Sequence, residues 1–401
     1  MESSANESFD QSYLAVLEES KDVKITTTFE EMNLPENLMR GIFAYGFEKP
    51  SKIQQKGIVP MVEGRDILAQ AQSGTGKTGT YVIGSLSHVK PNIPKPQVLV
   101  LVHTHELADQ VYKVATEMGY NMKLKTLLAI GGNDVKMDIR ALEQGAQFIV
   151  GTPGRVLDLV TRNALDRSHI QWVVMDEADA MLEELFYKQI TGILERGFPQ
   201  STKVALLSAT MPPHVVTVAE KILNNPVRIL IPPSEVRLDG IQQFYVGLQR
   251  EDHKFDCICD LYKNLNISQA VIFCNKKQKA EMLSEKMTAQ GYPTSCIHGD
   301  LDKIERRRRM EDFKKGNTRV MVATDIIARG IDVQQLSLVI NYELPPNREN
   351  YVHRIGRAGR YGRKGTTINL ILQEENPLME DICNYYNMAV DTLPEDISQL
   401  C

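Results

Sequence analysis

The sequence predicts an α/β protein of two domains, each a mostly parallel sheet flanked by helices, joined by a short linker. Three observations predict it. The 401 residues exceed what one hydrophobic core usually organises. Short β-like runs alternate with helical stretches in both halves, which is the rhythm of parallel strands connected by helices. Between the halves, Ile231-Pro232-Pro233-Ser234-Glu235 interrupts every periodicity, because two prolines stop both helix and ladder pairing. The expected boundaries are a tail over 1–24, a first domain over 25–230, a linker over 231–238 and a second domain over 239–401.

In the first half, strands are expected at Asp66 to Gln70, Gln97 to Val102, Thr126 to Ile130, Phe148 to Val150, Trp172 to Met175 and Lys203 to Ser208. The alternation restarts with Gln242 to Leu248, Ala270 to Cys274, Thr294 to Ile297, Arg319 to Ala323, Leu338 to Asn341 and Thr366 to Leu372. No sequence repeat is readable between the halves, so the likeness at this level is one of rhythm.

Hydrophobic residues make up 42% and charged residues 24%, a balance that excludes a mainly disordered chain. The longest apolar runs fall far short of the roughly 20 residues a membrane helix needs, so no membrane partner is expected. The acidic, serine-rich start lacks the basic opening and apolar stretch of a secretory signal, which predicts an intracellular location. All six cysteines lie in the second half, and only Cys257 and Cys259 are close neighbours, so packed, reduced thiols are expected rather than a metal site. The net charge of -5 means that any nucleic-acid contact must use local patches. The conspicuous cluster Arg306 to Arg309 reads equally as a solvated helix face or a phosphate-contacting edge.

Directly after the first strand comes Ala71-Gln72-Ser73-Gly74-Thr75-Gly76-Lys77-Thr78, which fits the phosphate-loop pattern except that Ala71 replaces its first glycine. The glycines let backbone N–H groups wrap phosphate oxygens, Lys77 offers charge to the terminal phosphates, and Thr78 is a candidate Mg²⁺ ligand. At the end of the apolar strand Val173-Val174-Met175 stands Asp176-Glu177-Ala178-Asp179. Ligands of open α/β sheets bind beyond the carboxyl ends of strands, which puts these acids beside the loop. Asp176 is expected to hold Mg²⁺, partly through water, and Glu177 to orient and deprotonate the attacking water. The second half supplies His353-Arg354-Ile355-Gly356-Arg357-Ala358-Gly359-Arg360, whose arginines three apart offer cations on one side of a helical turn. They belong to the other domain, so phosphoryl transfer is expected only when the two domains close.

Taken together these stretches resemble the DEAD-box RNA helicases, over about residues 25 to 400. Further matches are Gly46-Phe47-Glu48-Lys49-Pro50 leading to Gln54, Gly131-Gly132, Thr152-Pro153-Gly154-Arg155, Ser208-Ala209-Thr210, His298-Gly299-Asp300 and Thr324-Asp325 through Gly330-Ile331-Asp332. The resemblance implies two RecA-like domains and an ATPase that needs Mg²⁺ and unwinds short RNA duplexes. It implies that Gln54 reads adenine while Phe29 or Phe47 packs against it, although as bare residues both rings are core candidates. By the same likeness Ser73, Gly74, Thr75 and Gly76 complete the phosphate cradle, and Gly330 and Asp332 contact nucleotide from the second domain. Arg357 and Arg360 match arginine fingers, and Ser208 and Thr210 couple Asp179 to closure. Thr104, His105, Gly132, Thr152, Gly154, Arg155 and Thr324 correspond to positions on the RNA backbone, where contacts carry no base code.

Within that family the likeness points to translation initiation, in the cytoplasm, for a chain monomeric alone whose partner is a scaffold protein of the cap-binding initiation complex. The alternative is a nuclear, nucleotide-gated RNA clamp of the exon-junction type.

The departures are as informative. Where the family pattern reads Pro-Thr-Arg-Glu-Leu-Ala, this chain has His103-Thr104-His105-Glu106-Leu107-Ala108. An imidazole of reference pKa about 6.5 replaces a permanent guanidinium, which is expected to weaken one RNA phosphate contact near neutral pH. Lys276 and Lys303 stand where threonine and glutamine are usual, and each adds a positive charge.

Overall fold

The computed structural model describes residues 20, 23–71, 75–182, 184–229, 241–265, 268–325, 336–358 and 365–394. The expected linker at 231–238 and nearly all of the expected tail lie outside them. The chain divides into two compact units, Met1–Ile231 and Pro232–Cys401.

The first unit carries β1 (Ile67–Gln70), β2 (Val98–Leu101), β3 (Thr126–Ala129), β4 (Phe148–Gly151), β5 (Trp172–Asp176), β6 (Lys203–Ser208) and β7 (Val227–Ile229). They form one sheet in the order β3-β4-β2-β5-β6-β1-β7, and every pairing is parallel. Strands β1, β2, β4 and β5 are buried along their whole length, as continuous apolar runs must be when helices cover both sheet faces. Two separate apolar clusters follow, one around Trp172, Tyr81 and Phe148, the other around Ile149, Val173 and Met175. Alternate residues of β4 and β5 divide between them, which is the period-two signature of a strand.

The second unit carries β8 (Ile241–Leu248), β9 (Ala270–Phe273), β10 (Thr294–Ile297), β11 (Val320–Ala323), β12 (Leu338–Asn341), β13 (Gly365–Leu372) and β14 (Asp391–Thr392). Their order is β10-β11-β9-β12-β13-β8-β14. Subtracting seven from each number gives 3-4-2-5-6-1-7, the order of the first sheet. The rhythm shared by the two halves is therefore a shared topology. Each half places the carboxyl ends of its parallel strands along one edge of its sheet.

Two strands escaped the sequence reading. Residues 227–229 and 391–392 are too short to show a period, and each merely extends the edge of a sheet. Among the described residues no helix is long and apolar enough to cross a membrane. The described cysteines are all free, with Cys259, Cys274 and Cys296 buried, as expected of packed thiols.

Candidate functional site

In the first unit the candidate residues follow the strand order. Gly132 lies beyond β3, Thr152-Pro153-Gly154-Arg155 beyond β4, and Thr104-His105 beyond β2. Asp176-Glu177-Ala178-Asp179 closes β5, Ser208-Ala209-Thr210 closes β6, and the loop to Lys77 follows β1. The expected RNA contacts thus occupy one half of a single edge and the expected nucleotide contacts the other.

On the nucleotide side, Gly76 has φ +105° and caps the helix Lys77–Leu86. A Cβ there would stand 2.7 Å from Ser51 Oγ and 3.0 Å from Gln54 Nε2, so only glycine fits both the left-handed backbone and the space. Lys77 is buried and donates from Nζ to the Ala71 carbonyl at 2.7 Å. Gln54 is buried as well: the Ser51 N–H donates to its Oε1 at 2.8 Å, and its Nε2 reaches the Gly76 carbonyl at 3.4 Å. Phe29 is wholly buried in the core, and Phe47 lies partly exposed, stacked on it with ring centroids 6.4 Å apart. Ser73 and Gly74 lie outside the described residues.

Tyr81 is a functional candidate that the motif reading missed. Its fully buried hydroxyl donates to Asp176 Oδ2 at 2.9 Å and also hydrogen-bonds the Thr78 side chain. It lies four residues after Lys77 on the same helix, so the two side chains share a face. Burial and the neighbouring Asp176 charge raise the phenol's pKa well above its usual value. Asp176 itself is pushed up to about 6, first by burial, against the lowering effect of the Lys77 charge and with a further rise from Glu177.

Glu177 follows with φ 52° and ψ 52°, a left-handed conformation uncommon for a residue with a Cβ, and it caps the short helix Ala178–Met181. Its N–H donates to Asp176 Oδ1 at 2.9 Å. Its carboxylate stands 3.4 Å from His103 Nδ1. Beside it, Asp179 accepts from Ser208 Oγ on one oxygen and from Thr210 Oγ1 on the other, both at 2.7 Å and all three residues buried.

On the RNA side, Thr104 caps the helix His105–Met118 by accepting from the Leu107 N–H at 3.3 Å. Thr152 caps Pro153–Thr161, at whose start Gly154 is exposed. Arg155 is held inside the unit: it pairs with Asp138 and donates to the Asn133 carbonyl at 2.6 Å, which ties it to the turn containing Gly132 at φ +95°. Burial raises the Asp138 pKa even against that arginine.

In the second unit, Thr324 follows β11, and its neighbour Asp325 accepts from Arg354 at 2.5 and 2.9 Å. The Arg354 guanidinium is completely buried and also donates to Asn275 Oδ1 and the Glu343 carbonyl, both at 2.7 Å. Arg354 thus departs from the expectation that the arginines three apart offer their cations on one side of a helical turn. The helix Arg348–Ile355 ends before Arg357, with Gly356 as its cap, and Arg354 points into its own domain to close an ion pair. Arg357 is buried, with Nε donating to the His353 carbonyl at 3.1 Å. Arg360, Gly330 and Asp332 lie outside the described residues. In the basic cluster, Arg307 pairs with Glu311, Arg308 with Glu305 and Asp312, and Arg309 with Glu305. Arg307, Arg308 and Arg309 are thus matched within their own helix, as on a solvated face.

Models of two domain families match the chain: DEAD/DEAH box helicase over residues 51–218 and helicase conserved C-terminal domain over 253–362. The chain belongs to the DEAD-box helicase family. It is 49% identical over 377 residues to eukaryotic initiation factor 4A of Caenorhabditis elegans, covering 94% of each chain. It is 48% identical over 372 residues to the ATP-dependent RNA helicase eIF4A of Candida albicans, covering 93% of this chain and 94% of that one. Among solved structures, S. cerevisiae Dbp5 bound to RNA and ADP BeF3 superposes with a TM-score of 0.85 at 35% identity, covering 92% of this chain and 95% of that one. The two RecA-like domains expected from the sequence are the two seven-stranded units.

Proposed function

We propose that this DEAD-box chain is an ATP-dependent RNA helicase of translation initiation, which clamps single-stranded RNA without reading its sequence, strips a short duplex and releases on hydrolysis. The observation that carries the reading is the single sheet edge on which acids, hydroxyls and phosphate loop stand in adjacent strands, with the helix caps Thr104 and Thr152 next along it.

In this reading Lys77 leaves the Ala71 carbonyl for the terminal phosphates of ATP. Gln54, already against Gly76, reads the adenine edge, and Phe47 supplies the stacking face, since Phe29 is enclosed in the core. Thr78 and Asp176 would hold Mg²⁺. They fit it: the Tyr81 hydroxyl contacts both, and a divalent cation would offset the burial that raises the Asp176 pKa. When bound, Mg²⁺ neutralises charge on the phosphates.

Glu177 orients the attacking water and takes its proton. Asp179, between Ser208 and Thr210, relays the nucleotide state to the RNA side. Arg357 and Arg360 of the second unit stabilise the charge of the transferring phosphoryl group. RNA is held by helix starts and backbone amides at Thr104, His105, Gly132, Thr152 and Gly154, and from the second unit at Thr324. Arg155, bound to Asp138 and Asn133, shapes the Gly132 turn.

The setting is cytoplasmic, with a scaffold protein of the cap-binding complex as partner. Full-length similarity to initiation factor 4A favours this over the exon-junction clamp. The test is ATP hydrolysis with and without single-stranded RNA, run beside duplex unwinding with no added protein. RNA-stimulated turnover and unwinding are expected. Lys77→Ala should abolish turnover, and Glu177→Gln should keep ATP and RNA bound without hydrolysis. Stable RNA binding with little turnover would instead favour the clamp.

A further inference from the structure

Strands β2 and β5 are parallel neighbours, and Leu101 lies opposite Met175 in their register. Two residues further along each chain stand His103 and Glu177. The pairing that aligns the strands therefore delivers these two side chains to the same point of the sheet edge. His103 Nδ1 is 3.4 Å from Glu177 Oε2, and each side chain is only 6% exposed. The ring is anchored from both sides in sequence, by the end of β2 before it and by the Thr104 helix cap after it. Glu177 is anchored likewise, by β5 and by its left-handed cap position.

The family pattern has proline at position 103, which offers neither a side-chain donor nor a backbone N–H. What His103 does for Glu177 is thus a property of this chain.

We infer that His103 is a positioning residue for Glu177: its Nδ1–H steers one carboxylate oxygen so that the other faces the attacking water. The inference rests on Glu177 being the base. A neutral imidazole has one N–H to give, so the role does not require His103 to be charged, and His103 keeps its proton throughout. At 3.4 Å the pair is within ion-pair distance but does not yet meet hydrogen-bond geometry, a common state of catalytic contacts before substrate binds. The orientation matters because the base acts only within hydrogen-bond reach of the proton it takes. A wrongly rotated carboxylate lowers the turnover number without weakening ATP binding.

The test compares His103→Leu, which keeps bulk and loses the donor, with His103→Asn, whose amide N–H sits where Nδ1 does. Both are measured in the full chain for RNA-stimulated kcat, for KM of ATP and for thermal melting. His103→Leu should lower kcat about tenfold with KM within about twofold, because a small misplacement costs rate rather than binding. His103→Asn should recover most of the loss. In a Glu177→Gln background, His103→Leu should change nothing further. Should the leucine variant not fold, His103→Gln takes its place, since its amide reaches past the Nδ1 position and should fall below His103→Asn. Parent-like kcat in His103→Leu, or equal losses for donor and non-donor variants, would overturn the inference. Turnover at the parent rate in Glu177→Gln would instead sink the assignment of the base itself.

Discussion

Thr210 Oγ1 donates to Asp179 Oδ2 at 2.7 Å, so the last residue of the Asp176–Asp179 run is bound to the segment just beyond the strand that separates the acids from the phosphate loop. Ser208 holds the other Asp179 oxygen, which leaves the carboxylate fixed on both sides. Thr210→Val removes one donor and strands a buried carboxylate oxygen, at a cost of about 1–3 kcal/mol of stability. Because Asp179 is expected to relay nucleotide state rather than to react, this variant should keep ATP hydrolysis within a few-fold of the parent while losing most duplex unwinding. Parallel ATPase and strand-displacement assays check it. Equal losses in both would place Asp179 in the chemistry instead.

Asp176 carries a stability signature that can be read without substrate. Its carboxyl pKa is raised from 3.8 to about 6, chiefly by burial. The folded state therefore binds this proton more tightly than the unfolded chain does. Between about pH 4 and 6 the folded protein holds more protons, stability falls as pH rises, and the full penalty is present above pH 6. Two pKa units correspond to about 3 kcal/mol, from which Asp176→Asn loses roughly 1 kcal/mol, because asparagine offers one oxygen where Tyr81 and the Glu177 N–H each use one. In nucleotide-free, magnesium-free protein, Asp176→Asn should be about 2 kcal/mol more stable at pH 7.5, with the gain fading by pH 4. Denaturant titrations at the two pH values measure it.

Much of this arrangement was legible in the sequence, because the chemistry-bearing runs each follow a strand whose apolar run is easy to read. The phosphate loop after Gln70 and the acids after Met175 are both of this kind. Tyr81 and Arg354 were not legible. Tyr81 lies on a helix buried on nearly every side, so nothing in its neighbours separates a hydrogen-bonding tyrosine from a packing one. Arg354 sits in a run of arginines that looks uniformly outward, and only the fold brings Asp325, from another strand end, beneath it. The His103–Glu177 contact depends on strand order, which local periodicity does not encode.

The part proposed for the second unit in hydrolysis rests on Arg357. Arg357→Ala should leave ATP affinity near the parent value and depress the RNA-stimulated rate by about 10³-fold or more, the usual worth of an arginine finger. Fluorescent-nucleotide binding and steady-state ATPase separate the two effects. Similar rates in parent and variant would remove Arg357 from the mechanism.

His105 opens the helix His105–Met118 where the family pattern has arginine. RNA affinity of the parent should therefore weaken from pH 6 to pH 8 as imidazole gives up its charge, while His105→Arg binds more tightly and without that slope. RNA titrations across this range at constant salt check it. A flat profile in the parent would refute the phosphate contact.

In the proposed mechanism hydrolysis needs groups from both units: Lys77, Asp176 and Glu177 belong to the first, and Arg357 and Arg360 to the second. The direct measurement is RNA-stimulated ATP hydrolysis by the first unit alone, residues 1–231, beside the full chain. The first unit alone should fold and show no RNA-stimulated turnover. Hydrolysis by that unit at the full chain's stimulated rate would contradict the mechanism.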